Sequence, residues 1–435
     1  MKCHARPSVG GKTMMLADHR PSRASCSPVL DAGETDPRKG TKLIRVFLAS
    51  LALTLFLFAG NLVASGARGD ASHGRRAIPI IDVTDLYHPP QDVGDNFDLV
   101  SAYALPEIDL RAVILDAHDS FRKPISDHPL LTRYGSDKAG PRDPGFIPVL
   151  QLNYIFNRNV PAAVGPFTMM KSPQDKMLDI PAFQQQGVEL ILKVLRESKE
   201  PVSILSFGSA RPIAVAYNRD PKLFHEKVKQ IHLSAGASSP DFLEWNVGLD
   251  PNAVVCLLRS DLPIAIYPCA VGEKEGGAFG YGPHNTFYKT PNAYFIKQMD
   301  PRLRRYMAYA FGRVNRSDFL RAMDEDFPDE LTAKVYSQPH NVWETGTWAL
   351  VSNRRLVRRA DGHYRMIPAQ EVRSSDKVMP NDLRPCLLKV SDDGIFTFEH
   401  TDRPSNFLMY DRGDPHENEK AFTEALIDFY ISIRP

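Results

Sequence analysis

Asp82, Asp85, Asp92, Asp95 and Asp98 stand within seventeen residues of one another, directly behind the short apolar run Ile78 to Ile81. Like charges this close repel, so the set makes sense if a cation sits among them or if the carboxylates share protons. No cysteine or histidine pair accompanies them. An oxygen-only donor set suits Ca2+ or Mg2+ better than zinc. Taken singly, each aspartate also fits a solvated turn residue, and Asp95 fits a helix N-cap. As a group behind a buried strand they read as a site.

The elements that must position these acids follow from periodicity. Ile78 to Ile81 reads as a buried strand, and Phe97, Leu99, Val100, Tyr103 and Ala104 form the apolar stripe of a helix after the acidic loop. Leu110 to Leu115 reads as a second strand, ending in Asp116, His118 and Asp119. The Pro/Gly/Asp-rich connection Lys123 to Pro148 reads as a surface excursion or lid. From Pro181 onward the pattern alternates: a helix through Val188, Ile191, Val194 and Leu195; a strand Val202 to Phe207; a short helix Ile213 to Tyr217; a strand Val228 to Leu233; a helix Asp250 to Arg259; and a strand Pro263 to Tyr267. This alternation predicts an α/β fold, a mostly parallel open sheet with helices on both faces, whose ligands gather at the C-terminal ends of the strands.

Further on, Gly272 to Pro291 reads as a mobile glycine-rich loop, and Pro301 to Arg313 and Val342 to Val351 as helices. Asp361-Gly362 and Asp393-Gly394 mark two late hairpins, and Glu417 to Ile433 a closing amphipathic helix. These make small C-terminal additions to one domain spanning 77–435.

The chain has 435 residues and a formal net charge of +1, so nothing electrostatic points to nucleic acid as a partner. Arg38, Lys39, Lys42 and Arg45 precede the apolar block Val46 to Ala59, and small residues follow to Ala67. Residues 1–67 therefore read as a leader with an export signal, which implies a periplasmic or extracellular protein. The rival reading is an uncleaved membrane anchor over residues 46–67. Cys256, Cys269 and Cys386 lie too far apart for a disulfide framework or thiolate metal site, and read as core residues.

Several segments in order resemble the inosine–uridine-preferring nucleoside hydrolases. They are IPIID with its following acids, ALPEIDLRAVIL from Ala104, PVSILSFGSARPIAVAYNRDP from Pro201, IHLSAGA from Ile231, and EWNVGLDPNAVVCLL from Glu244. His340 and Asn341 stand where that family has a His-Asp pair. The resemblance implies hydrolysis of an N-glycosidic bond of a nucleoside, assisted by Ca2+. Carried over by position, Asp82, Asp85, Asp95, Asp98, Asn341 and the carbonyl of Leu233 hold the metal. Asp85 and Asp82 serve as base and electrostatic support, and His340 protonates the leaving base. Glu244, Asn246, Asp92, His118 and Asp119 bind the sugar or base.

The sequence also departs from that family. His88-Pro89-Pro90-Gln91 is inserted in the acidic loop, Asn341 brings no charge, and Ser234-Ala235-Gly236 replaces Met-Gly-Gly. An alternative function is therefore a non-catalytic binder of nucleosides or sugars on the same fold. A metal-dependent phosphatase is a third reading, set against the Asp-x-x-Asp spacing of Asp82 and Asp85. The expected partner is a small molecule, a nucleoside or related glycoside; a homo-oligomer is compatible with the sequence.

Overall fold

A computed structural model describes residues 77–118, 142–290 and 294–435. The leader, Asp119 and most of the connection after Lys123 lie outside the described residues. All that is described belongs to one compact unit, Gly74–Pro435. No described helix is long and apolar enough to cross a membrane.

Six strands make the parallel core of one sheet: β1 Ile78–Thr84, β2 Ile108–Leu115, β3 Ala162–Val164, β4 Val202–Phe207, β5 Val228–Leu233 and β6 Ile264–Ile266. Two short strands, β7 Tyr288–Lys289 and β8 Asn341–Val342, pair with each other. A separate three-stranded sheet comprises β9 Arg354–Arg358, β10 Tyr364–Pro368 and β11 Lys377–Val378. The last three strands, β12 Asp382–Val390, β13 Phe396–His400 and β14 Phe407–Asp411, return to the main sheet. Its order is β13-β12-β14-β6-β5-β4-β1-β2-β3. β14 runs parallel to β6, and only β12 and β13 add antiparallel pairing. The late hairpins expected at Asp361-Gly362 and Asp393-Gly394 are present, but the second extends the main sheet instead of forming a separate addition.

Strict alternation along β1 explains the two-faced core. Ile80 joins one apolar cluster, with Leu110, Val113 and Leu205, under the helices Gly94–Ala104, Pro301–Phe311 and Pro415–Ser432. Ile81 and Val83 join the opposite cluster, with Ile114, Ile204 and Ile231, beneath helices Ala182–Glu197, Arg211–Arg219 and Pro251–Leu258. Asp82 therefore falls on the first face, directed beneath the helix that follows the acidic loop.

One buried cation ties the strand ends together. Arg211 opens a helix straight after β4 and donates through Nε to Asp250 at 2.8 Å, and through its terminal nitrogens to the carbonyls of Ala117, Pro166 and Leu249. It thus links the end of β2, the loop after β3 and the turn before helix Pro251–Leu258, which Asp250 caps. Both partners are fully buried, and the cost of desolvating them is offset by these four hydrogen bonds. A second buried arginine corrects a sequence expectation. Arg412 donates to the carbonyls of Gly282 and Phe287 and to the Asn285 side chain, so the glycine-rich stretch after β6 is pinned to the body. The expected helix from Val342 is also shorter, Gly346–Val351, because Asn341 and Val342 form β8.

Replacing Arg211 by Met strands Asp250 as an uncompensated buried charge, a loss expected to cost about 3–5 kcal/mol. Urea unfolding should report a matching fall in midpoint, and Arg211→Met/Asp250→Leu should recover part of it.

Candidate active site and metal centre

The acids converge at the C-terminal rim of the parallel strands. Asp85 follows β1; Asp116 follows β2; Glu244 follows β5 across the Ser234–Gly236 turn. Asp95 and Asp98 lie three residues apart, one turn of the same helix, so both project toward one side. β8 abuts the start of that helix: the Val342 Cα is 3.6 Å from where a Cβ on Gly94 would stand. Glu344, two residues further on, is thereby delivered to Asp95 and Asp98. Carboxylate oxygens of these three buried residues lie within 4.8 Å of one another.

Glu344 is the residue that sequence reasoning missed. Asn341, the ligand expected from this stretch, sits three positions earlier, in β8 opposite Lys289. The available signal was an acid between a short strand and a helix start, the same pattern that marked Asp85 and Asp95.

Burial dominates the electrostatics. The carboxyl of Asp82 is pushed up to about 7 by burial alone. Asp85 is held well above the ordinary range by burial and then by the charges of Asp116 and Asp92, with a hydrogen bond from Trp245 opposing. Burial, followed by Asp85 and Glu344, raises Asp95; burial raises Asp98, with the charges of Asp82 and Asp92 adding to it; burial, followed by Asp98 and Asp92, raises Glu344. Both oxygens of Asp82 and Asp98, Oδ2 of Asp95 and Oε2 of Glu344 have no hydrogen-bond donor within bonding distance. Buried carboxylate oxygens normally find donors. A set this close without them fits a hard divalent cation, for which Asp95, Asp98 and Glu344 would be the first ligands.

The remaining expected residues fall into distinct settings. Asp85 accepts from the Gln91 amide at 3.0 Å, so the inserted loop supports the site. Asp92 accepts from the Gly94 N–H at 2.6 Å; Asp92, not Asp95, makes the side-chain bond at the helix start. Its carboxyl is pushed up to about 7 by burial. Glu244 takes the backbone N–H groups of Gly236, Asn246 and Val247, and Asn246 donates to the Ser234 carbonyl. Both therefore build the turn after β5, whatever else they bind. The Leu233 carbonyl accepts from the Tyr267 N–H at 2.8 Å, an ordinary bond of the sheet.

The two histidines differ. The His340 ring lies against Phe97 and Phe311, and burial lowers its pKa to about 4. His118 lies edge-on to Tyr87 and Trp245, and burial followed by Arg211 keeps it neutral. Of the two, His118 is joined to the acidic rim, since the Tyr87 hydroxyl that accepts its N–H is itself influenced by Asp85. Trp245 is half-buried beside Asp85. Tyr87 holds a φ of +50°, a left-handed setting that a tyrosine adopts at some strain where the surroundings demand it.

The sign of the linkage is fixed by these shifts. A carboxyl raised in the folded state stabilises the fold only while protonated, so stability declines as pH rises from near 3.8 through about 7. Thermal unfolding in chelator should show this decline, and excess Ca2+ should raise the melting temperature most at the upper end of that window. A metal-independent profile would contradict it.

No family model matches the chain. It is 31% identical over 202 residues to the pyrimidine-specific ribonucleoside hydrolase RihA of Escherichia coli O127:H6, a match covering 44% of this chain and 60% of that protein. The chain thus spans about three-fifths of the length of the curated relatives it matches. Among solved structures, the purine-preferring ribonucleoside hydrolase from Gardnerella vaginalis aligns over 81% of this chain and 99% of its own, at 13% identity and a TM-score of 0.47. The type III effector protein XopQ, solved with adenosine diphosphate ribose, aligns over 90% and 99%, at 14% identity and a TM-score of 0.43. Through those 202 residues this chain is similar to a pyrimidine-specific ribonucleoside hydrolase.

Proposed function

We propose that the protein hydrolyses the N-glycosidic bond of a nucleoside at the acidic rim, with Ca2+ as its ion. The observation that carries this reading is the set of buried carboxylate oxygens of Asp82, Asp95, Asp98 and Glu344 that lack donors, at the strand ends of a chain related to ribonucleoside hydrolases. A bound divalent cation would orient a water and lower its pKa.

Asp85, just past the end of β1, would take the proton from the attacking water as general base. Water attacks the anomeric carbon, the carbon–nitrogen bond breaks, and the base departs with the bonding electrons. The surrounding carboxylates, Asp92 and Asp116 among them, favour the positive charge that develops on the sugar. The half-buried Trp245 indole, beside Asp85 and edge-on to His118, offers ring surface for the base. Because His340 lies among phenylalanines and His118 is held neutral, proton delivery to the leaving group falls to solvent in this reading. Export through residues 1–67 belongs to the same proposal and places the activity outside the cytoplasm.

Purified full-length chain incubated with inosine, uridine, cytidine or adenosine in Ca2+ should release free base and pentose. Asp98→Asn and Glu344→Gln should each lower kcat/KM by on the order of 100-fold, with folding intact by circular dichroism. Absence of turnover on every nucleoside, by folded protein in Ca2+, would overturn the reading. Saturable heat of nucleoside binding without turnover would instead assign a binding protein.

A further inference from the structure

A second cluster lies apart from the acidic rim, at the far end of the sheet. His400 ends β13 and Asp411 ends β14, and both flank the intervening strand β12. In register, His400 stands opposite Cys386 and Asp411 opposite Asp382, positions of equal parity in β12, so both side chains leave the same face of the sheet. His284 reaches that face from the loop pinned by Arg412. Its ring lies 5.1 Å from that of His400, and ligand-capable atoms of all three residues lie within 4.8 Å of one another.

We propose that His284, His400 and Asp411 form a metal site for zinc or a similar imidazole-binding divalent ion. Two imidazoles and one carboxylate suit such metals and not Ca2+ or Mg2+.

Further observations support the site. The His284 Nδ1 is bonded to the Tyr410 carbonyl at 2.9 Å, which fixes the ring and leaves Nε2 toward the cluster, the arrangement that metal-bound histidines commonly use. Both ring nitrogens of His400 are buried without a hydrogen-bond partner, although a histidine in a protein interior normally satisfies at least one. The loop carrying His284 is held on both sides, by Arg412 bonds to Gly282 and to Asn285. Asp411 accepts from Arg384 at 2.9 Å and from the Gly413 N–H at 3.0 Å, and each oxygen keeps a lone pair. Arg384 therefore competes with the ion for Asp411.

A metal at this point would cross-link the pinned loop to the ends of β13 and β14, closing the outer edge of the sheet. Three protein ligands leave a coordination position open to solvent or to a small anion.

The test uses tag-free full-length protein stripped with chelator and titrated with Co2+. A nitrogen-ligated site of low coordination number gives visible ligand-field absorption that an oxygen-only octahedral site gives far more weakly. The expected result is saturation at one equivalent. His284→Ala and His400→Ala should abolish the band, Asp98→Asn should retain it, and Arg384→Gln should strengthen binding several-fold by releasing Asp411. Zn2+ should displace Co2+ and raise the melting temperature of the wild type but not of His400→Ala. Absence of a saturable band, or one unaffected by His400→Ala in folded protein, overturns the proposal, and neither result depends on whether nucleosides are cleaved.

Discussion

The structure depends on a concentration of buried negative charge that the polypeptide alone does not neutralise. Asp82, Asp95, Asp98 and Glu344 carry oxygens without donors, while Asp85, Asp92, Asp116 and Glu244 add to the same field. Two carboxylates about 4 Å apart repel by about 4 kcal/mol at an effective dielectric of 20. Holding Asp82 ionised against a pKa of about 7 costs roughly as much again. Either protons or a cation must offset terms of that size. A divalent ion among several carboxylates does so at neutral pH, and leaves Asp85 free to exchange protons with water.

The rest of the molecule holds this unfavourable arrangement in place. The parallel strands bring residues distant in sequence to one rim, with apolar clusters on both faces as the stabilising mass. Arg211 is the positive counterpart inside the scaffold, joined to Asp250 and to three carbonyls, and it lies close enough to Asp116 to lower that carboxyl against its burial. Glu244 shows how one residue can belong to scaffold and rim together: its carboxylate organises the turn after β5, yet its charge is felt by Asp85. The polar rim is thus rigid because its members also cap helices and close turns.

Much of this was legible in the sequence because it is local. The alternating strands and helices from Val202 to Tyr267, the buried β1 and the turn of helix joining Asp95 to Asp98 all follow from short-range periodicity. What escaped depends on tertiary contact. Glu344 follows a two-residue strand, β8, whose only ladder partner is β7, and nothing in Asn341–Val342 announces that pairing. The glycine-rich stretch looked free because its anchor, Arg412, lies 130 positions from Gly282 in the chain. His340 matched a family position in sequence, yet its ring entered an aromatic cage formed by Phe97 and Phe311.

The central claim is that the carboxylates of Asp95, Asp98 and Glu344 surround one divalent cation. Anomalous diffraction from crystals soaked in Mn2+, a calcium surrogate that prefers oxygen ligands, tests it most directly. The account predicts a single strong anomalous peak within bonding distance of those three side chains. Crystals in which the three remain intact but the peak is absent, or lies elsewhere on the rim without them, would contradict it.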